Sequence, residues 1–192
     1  MKYILVGTNR PGSRSAQVAK IVQDIHRQQG EEYEILDLHK LDLSTCNGSQ
    51  YSENQPDQIK DWVGKISASE ALVVICPEYN GSYPGVLKYF MDHWKFPESY
   101  EYRPVCFVGL GGRFGGLRPV EHLQQVFGYR NAFIFPERVF LINCWSIMKD
   151  GTITDTLIME LLTQQATNFN KFIKGLVSVG LDALSVQKTK QN

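Results

Sequence analysis

Two stretches concentrate residues whose types and spacing suit the grip of a polar ligand. The first is Gly7-Thr8-Asn9-Arg10-Pro11-Gly12-Ser13-Arg14-Ser15. Thr8, Ser13 and Ser15 offer hydroxyl donors, and Arg10 adds a charged fork of donors. Such a set suits a phosphate. It is not a Walker A loop, because no Gly-Lys-Ser/Thr follows, and it is not Gly-x-Gly-x-x-Gly. The same residues also fit a capped helix start, with Ser13 or Ser15 as N-cap. The second stretch is Pro77-Glu78-Tyr79-Asn80-Gly81-Ser82-Tyr83-Pro84-Gly85. Two prolines and two glycines fix its path. An aromatic, an amide and a hydroxyl sit at its tip, where backbone N–H groups can meet a flat polar ligand.

The elements around these stretches place them together. The apolar run Tyr3–Val6 reads as a buried strand leading into the first loop, and Ser15–Gln29 reads as a helix with Val18, Ile21, Val22 and Ile25 on one face. A helix beginning there presents free N–H groups and the positive end of its dipole to the loop. Ala71–Cys76 is a second continuous apolar run, and it feeds the Pro77–Gly85 stretch. Tyr33–Leu36 and Val105–Leu110 read as further strands, and Ala132–Phe135 with Val139–Ile142 as a fifth strand or strand pair interrupted at Pro136. Helical patterns lie between them, and a last helix is expected from about Asp155 to Gly175.

Strands that are apolar throughout are covered on both faces, and helices between them imply a parallel sheet with right-handed crossovers. Five such units predict an α/β fold: a flavodoxin-like, doubly wound, five-stranded parallel sheet of order 2-1-3-4-5 with helices on both faces. Ligands of such sheets bind beyond the carboxyl ends of the strands at the switch point, here between the first and third strands. Both loops lie there. Gly111-Gly112-Arg113-Phe114-Gly115-Gly116, after the fourth strand, lies alongside. Residues 1–179 are expected as one domain and 180–192 as a flexible tail. The loop from Asp37 to Pro56 is long enough to be functional or mobile.

Composition excludes several classes. Formal net charge is zero, which argues against nucleic acid and against a polybasic membrane surface. No apolar run approaches a membrane span. The four cysteines, Cys46, Cys76, Cys106 and Cys144, form no Cys-x-x-Cys and no metal-ligand spacing, and point to a reducing cytoplasm. Cys76, Cys106 and Cys144 read as core residues. His26, His39, His93 and His122 are scattered and read as surface or subunit-contact residues, with no metal site. Trp62 and Trp94 read as core or interface, and Phe96, Tyr100 and Tyr102 as core, rim or subunit-contact aromatics.

Gly7-Thr8-x-Arg10-x-x-Ser13 and Pro77-Glu78-Tyr79-Asn80-Gly81-Ser82-x-Pro84-Gly85-x-Leu87-Lys88-x-x-x-Asp92 resemble the two signature segments of the NAD(P)H-dependent FMN reductases, whose relatives include chromate, quinone and azo-dye reductases. The resemblance covers roughly residues 1–172. It implies FMN as cofactor, with Thr8, Arg10, Ser13 and Ser15 on the phosphate and Pro77, Glu78, Tyr79, Asn80, Gly81 and Ser82 along the isoalloxazine. Backbone N–H groups of Asn80, Gly81 and Ser82 would serve the ring carbonyls. Gly111 and Gly112 complete the cofactor set, although Val108-Gly109-Leu110 departs from the Ser or Thr usual before that loop.

The resemblance also implies NADPH or NADH as co-substrate, a small-molecule electron acceptor, ping-pong kinetics, and a homodimer or homotetramer meeting through the third and fourth helices. No side chain is expected as catalytic acid or base, since the hydride chemistry resides at the flavin N5. Glu78 reads as a partner for a basic group or a backbone donor. Arg113, Phe114 and Arg118 are candidates for nicotinamide and phosphate contacts. A flavodoxin-like electron carrier and a non-catalytic FMN-binding module of the same fold remain alternatives.

Overall fold

In the computed structural model, which describes residues 1–45, 48 and 54–191, strands and helices alternate along the chain. The first half comprises β1 (Lys2–Val6), α1 (Arg14–Gln28), β2 (Tyr33–Asp37), α2 (Asp57–Ser67), β3 (Ala71–Pro77) and α3 (Gly85–Met91). The second half comprises β4 (Pro104–Leu110), α4 (Leu117–Gly128), β5 (Phe133–Ile134), β6 (Val139–Leu141), α5 (Cys144–Ile147), β7 (Met148–Lys149), β8 (Thr152–Ile153), α6 (Thr156–Ser178) and α7 (Ala183–Gln191).

The main sheet runs β2-β1-β3-β4-β5, with β6 also pairing β4, and every pair in it is parallel. This is the order the sequence predicts. Its fifth position is shared by β5 and β6, which flank Pro136, as expected where a strand meets a residue that cannot donate to the ladder.

All residues of β3 and β4 are buried, so apolar side chains are required on both faces. On one face Leu5, Val74 and Phe107 meet Ile59 and Trp62 of α2, Phe90 of α3 and Phe127 of α4. On the other, Ile4, Val73 and Val108 meet Val18 and Val22 of α1 and Phe169 and Ile173 of α6. Helix α6 turns Leu162, Ala166, Phe169 and Ile173 to the core, whereas Leu157 and Leu161 are exposed.

Three expectations change. The stretch after Val179, expected as a frayed end, carries α7. Asp182 opens it by accepting from the backbone N–H groups of Leu184 and Ser185, each at 3.1 Å, while Gln187 donates to the Glu98 carbonyl at 3.0 Å and Lys190 pairs with Glu101. The described part of the 37–56 loop consists of 3-10 turns over Leu38–Lys40 and Leu43–Thr45, and Gln58 ties it to α2 through the backbone of Lys40 and Asp42, each at 3.0 Å. Cys46 and the remainder of that loop, except residues 48 and 54–56, lie outside the described residues. Finally, His26 and His93 are buried and not on the surface.

The reason for His26 is a network that closes only in three dimensions. Its ring stacks on Tyr33 at 3.9 Å between centroids. The Tyr33 hydroxyl donates to Asn170 Oδ1 at 2.9 Å, and the same amide donates through Nδ2 to His26 Nδ1 at 3.1 Å. The imidazole nitrogen facing Asn170 therefore accepts, which is the neutral ring. Burial, reinforced by the nearby Lys2 ammonium, lowers the His26 pKa to about 4. In the unfolded chain the ring takes up its proton near the ordinary histidine value of about 6.5. Between those values the unfolded state binds more protons, so stability is full above the upper value and falls as pH drops toward the lower one. The thermal midpoint is expected to decline from pH 6.5 to pH 4, and His26→Gln should flatten that decline. Equal slopes in scanning calorimetry of the two proteins would contradict this.

Candidate functional site

Four loops at the carboxyl edge of the sheet surround a cavity of about 250 Å³. Arg10, Pro11, Gly12, Ser13, Arg14 and Ser15 line it after β1, and Pro77, Glu78 and Tyr79 after β3. Leu110, Gly111 and Gly112 line it after β4, and Cys144 and Trp145 after β6. It sits over β1, β3 and β4, where connections leave β1 and β3 in opposite directions along the sheet.

The first loop ends in a cap. Ser13 is the N-cap of α1, with its Oγ accepting from Ala16 N at 3.1 Å. A hydroxyl has one donor and two acceptor sites, so capping leaves its O–H able to donate. Ser13 and Ser15 are buried at the cavity, while Arg10 and Arg14 are exposed. The N-terminus of α1 thus faces the cavity with hydroxyls and two cations beside it, a donor set that suits a phosphate.

Thr8 is fully buried beneath this loop. Its Oγ1 accepts from Arg10 N at 3.3 Å and is hydrogen-bonded to the Tyr79 hydroxyl at 2.9 Å. That contact joins the first loop to the second. His39 Nδ1 lies 3.2 Å from the Asn9 carbonyl, so the turn after β2 braces the loop from the other side.

The second loop is tighter than its proline and glycine content alone implies. Tyr79 and Ser82 exchange both backbone hydrogen bonds, at 2.9 and 3.2 Å, around Asn80 and Gly81, which have φ of 51° and 83°. This is a two-residue primed turn, for which Asn-Gly is a strong signal. The Ser82 N–H is spent on the Tyr79 carbonyl, which corrects the expectation that it serves a bound ring. The Ser82 hydroxyl lies 2.8 Å from His122 Nδ1 on α4. Asn80, Gly81 and Ser82 do not contribute to the cavity wall, whereas Pro77, Glu78 and Tyr79 do.

Glu78 is anchored at both ends. Its N–H donates to the Leu110 carbonyl at 3.0 Å, and its carboxylate accepts from Arg118 on α4 at 3.0 Å. Arg118 in turn lies over the Phe114 ring, 4.4 Å from its centroid. Arg113 also lies over the Phe114 ring, 5.5 Å from its centroid, so of Arg113, Phe114 and Arg118 it is Arg118 that reaches Glu78, and none of the three lines the cavity.

The third loop is folded back on its own strand. Gly116 has φ of 84°, and a Cβ there would sit 2.6 Å from Leu110 N, so only glycine fits. At Gly112 a Cβ would meet Trp145 Cη2 at 3.0 Å. The carbonyls of Gly111 and Gly112 accept from Cys144 N and Asn143 N at 3.0 and 2.9 Å, which holds the Cys144–Trp145 segment against the loop. Neither residue was singled out in the sequence as a ligand contact. The available signal was position, since the chain after the fifth strand must also emerge at the carboxyl edge. Burial raises the Cys144 thiol pKa, with Arg14 opposing in part, so the thiol stays protonated and is a poor nucleophile.

Among the described residues no group of three or more His, Cys, Asp or Glu side chains is arranged to hold a metal ion, and no helix is long and apolar enough to cross a membrane.

Comparison with known proteins agrees with this geometry. An FMN-dependent NADPH-azoreductase of Staphylococcus haemolyticus is 28% identical over 156 residues, covering 78% of this chain and 81% of that protein. An FMN-dependent NADPH-azoreductase of Staphylococcus saprophyticus is 27% identical over 128 residues, and the match spans about two thirds of its length (66%) and 64% of this chain. The flavoenzyme NAD(P)H:(acceptor) oxidoreductase FerB from Paracoccus denitrificans shares the fold, with a TM-score of 0.72 at 22% identity over 91% of this chain and 97% of that one. The sequence profile described as NADPH-dependent FMN reductase matches residues 3–146, three quarters of the molecule, and contains every loop that lines the cavity. The chain belongs to the NADPH-dependent FMN reductase family.

Proposed function

We propose that the protein is an FMN-dependent oxidoreductase that takes reducing equivalents from NAD(P)H and delivers them to a small-molecule acceptor such as a quinone, an azo compound or a free flavin. One observation carries this reading. The N-terminus of α1, the Pro77–Tyr79 wall and the Gly111–Gly112 wall converge on one cavity at the switch point of the sheet.

The residues fit the cofactor. Arg10, Ser13 and Ser15, with the first N–H groups of α1, hold the phosphate, and Thr8 fixes the loop from below. Pro77, Glu78 and Tyr79 run along one edge of the ring. Gly111 and Gly112 keep the adjoining wall low, since a Cβ at Gly111 would lie 3.2 Å from Glu78 Cβ, and one at Gly112 would crowd Trp145. Asn80, Gly81 and Ser82 shape the turn that holds this wall. The exposed indole of Trp145 stands beside the glycine loop, where it limits access to the ring.

Bound FMN supplies the two-electron chemistry at its ring. The protein contributes binding, orientation and one open face, and Glu78 serves as a support through its pairing with Arg118. NAD(P)H and the acceptor use the same open face in turn, which makes the kinetics ping-pong. The working form is a homodimer, for which the support is the aromatic groove between α3 and α4: Trp94, Phe96, Tyr100 and Tyr129 line it, with Phe96 and Tyr129 exposed. The three free cysteines among the described residues are consistent with a cytoplasmic setting.

The purified protein is expected to carry or take up FMN, to bleach when NADPH or NADH is added without oxygen, and to give parallel double-reciprocal plots when acceptor is varied. A flavin-loaded protein that no pyridine nucleotide bleaches would make it an electron carrier, and a protein that takes up no FMN would exclude both. Arg10→Ala should weaken FMN affinity by about 1.5–3 kcal/mol, the scale of a charge-assisted hydrogen bond. Unchanged affinity would leave the first loop as a helix cap alone.

A further inference from the structure

Beyond the phosphate end of the cofactor cavity lies a second cavity of about 270 Å³, lined by Gly12, Arg14, Gln17, Met148, Asp150 and Gly151. It shares Gly12 and Arg14 with the first. We propose that this second cavity is a subsite for the adenosine phosphate half of a dinucleotide flavin, so that the protein binds FAD as well as FMN. The proposal rests on the placement of the FMN phosphate at the α1 N-terminus argued above.

The geometry separates the two arginines of the first loop. Arg10 lines only the cofactor cavity, whereas Arg14 lines both. A guanidinium at the junction suits a second phosphate linked to the first. Gly12 has φ of 61°, and nothing lies within 4 Å of the position its Cβ would take. No side chain at Gly12 therefore stands between the two cavities that this residue lines.

The far wall is a built element. Strands β7 and β8 pair antiparallel around Asp150 and Gly151, with φ of 51° and 79°, a second primed turn. Thr154 N and Thr154 Oγ1 both donate to the Ile147 carbonyl, at 2.8 and 3.1 Å, and close the base of the hairpin. Met148 is buried and Ile153 packs on the core, so the hairpin tip is fixed relative to α1. Asp150 of the tip and Gln17 of α1 line the same cavity. Ribose hydroxyls are donors that a carboxylate accepts well, and an amide can serve both donor and acceptor edges of an adenine. This hairpin has no part in the FMN site.

The test is calorimetric titration of the apoprotein with FMN and with FAD, for the native chain and for two variants. Gln17→Trp fills the second cavity from α1. Asp150→Asn removes the carboxylate while keeping a residue that tolerates the turn conformation. FAD should bind the native protein with an affinity within about tenfold of FMN, and each variant should lower the FAD affinity relative to FMN by roughly tenfold or more, the scale of a lost hydrogen bond to a charged group. FMN binding without FAD binding, or a ratio that moves in neither variant, overturns the proposal and leaves the FMN reading intact. A rise in the KM for NADPH in Gln17→Trp, with the flavin ratio unchanged, also overturns it by giving the cavity to the pyridine nucleotide. Binding of neither flavin overturns the FMN reading and the proposal with it.

Discussion

A helix that starts at the carboxyl edge of a parallel sheet leaves its first N–H groups without partners inside the helix. In this protein that constraint falls on α1, and the rest of the site is arranged around it. Ser13 satisfies one donor of the first turn. The others face a cavity bordered by Arg10 and Arg14. An anion there adds hydrogen bonds and meets the favourable end of the helix dipole, each worth fractions of a kcal/mol to about 2 kcal/mol. The sheet supplies the rigidity that makes those small terms directional, since β1, which leads to α1, is paired on both sides.

The remaining loops are held by polar ties between elements far apart in the chain. Thr8 and Tyr79 join the first and second loops, and Glu78 with Arg118 and Ser82 with His122 join the second loop to α4. Arg118 and His122 stand one helical turn apart, so one face of α4 grips the turn at two points. Exposed pairs of this kind contribute little stability singly. Their effect is positional, because a flat ring tolerates little variation in the separation of its walls. Glu78, the carboxylate in the cavity wall among the described residues, has its charge paired with Arg118.

What the sequence disclosed followed the range of the interactions involved. Strand order was legible because continuous apolar runs alternating with amphipathic helices permit few topologies. The capped, donor-rich start of α1 was legible because its hydroxyls and cations are neighbours in the chain. The Asn80–Gly81 turn carried its own signal, yet the consequence for Ser82 N–H emerged only with the paired backbone of Tyr79 and Ser82. Trp145 and Cys144 were missed because their place depends on β6 pairing with β4 and on their hydrogen bonds to the glycine loop. His26 was misread as exposed because its partner Asn170 lies 144 residues away. The helix α7 was missed because its contacts are with Glu98 and Glu101, in the loop before β4, 89 residues earlier in the chain.

The most direct test of the account is a crystal structure of the FMN complex. The account predicts density for the phosphate within hydrogen-bonding distance of Ser13, Ser15 and the first backbone N–H groups of α1, with the ring lying along the adjoining Pro77–Tyr79 and Gly111–Gly112 walls. A phosphate bound elsewhere, or a ring lying outside the cavity while the α1 N-terminus faces only water, would contradict it.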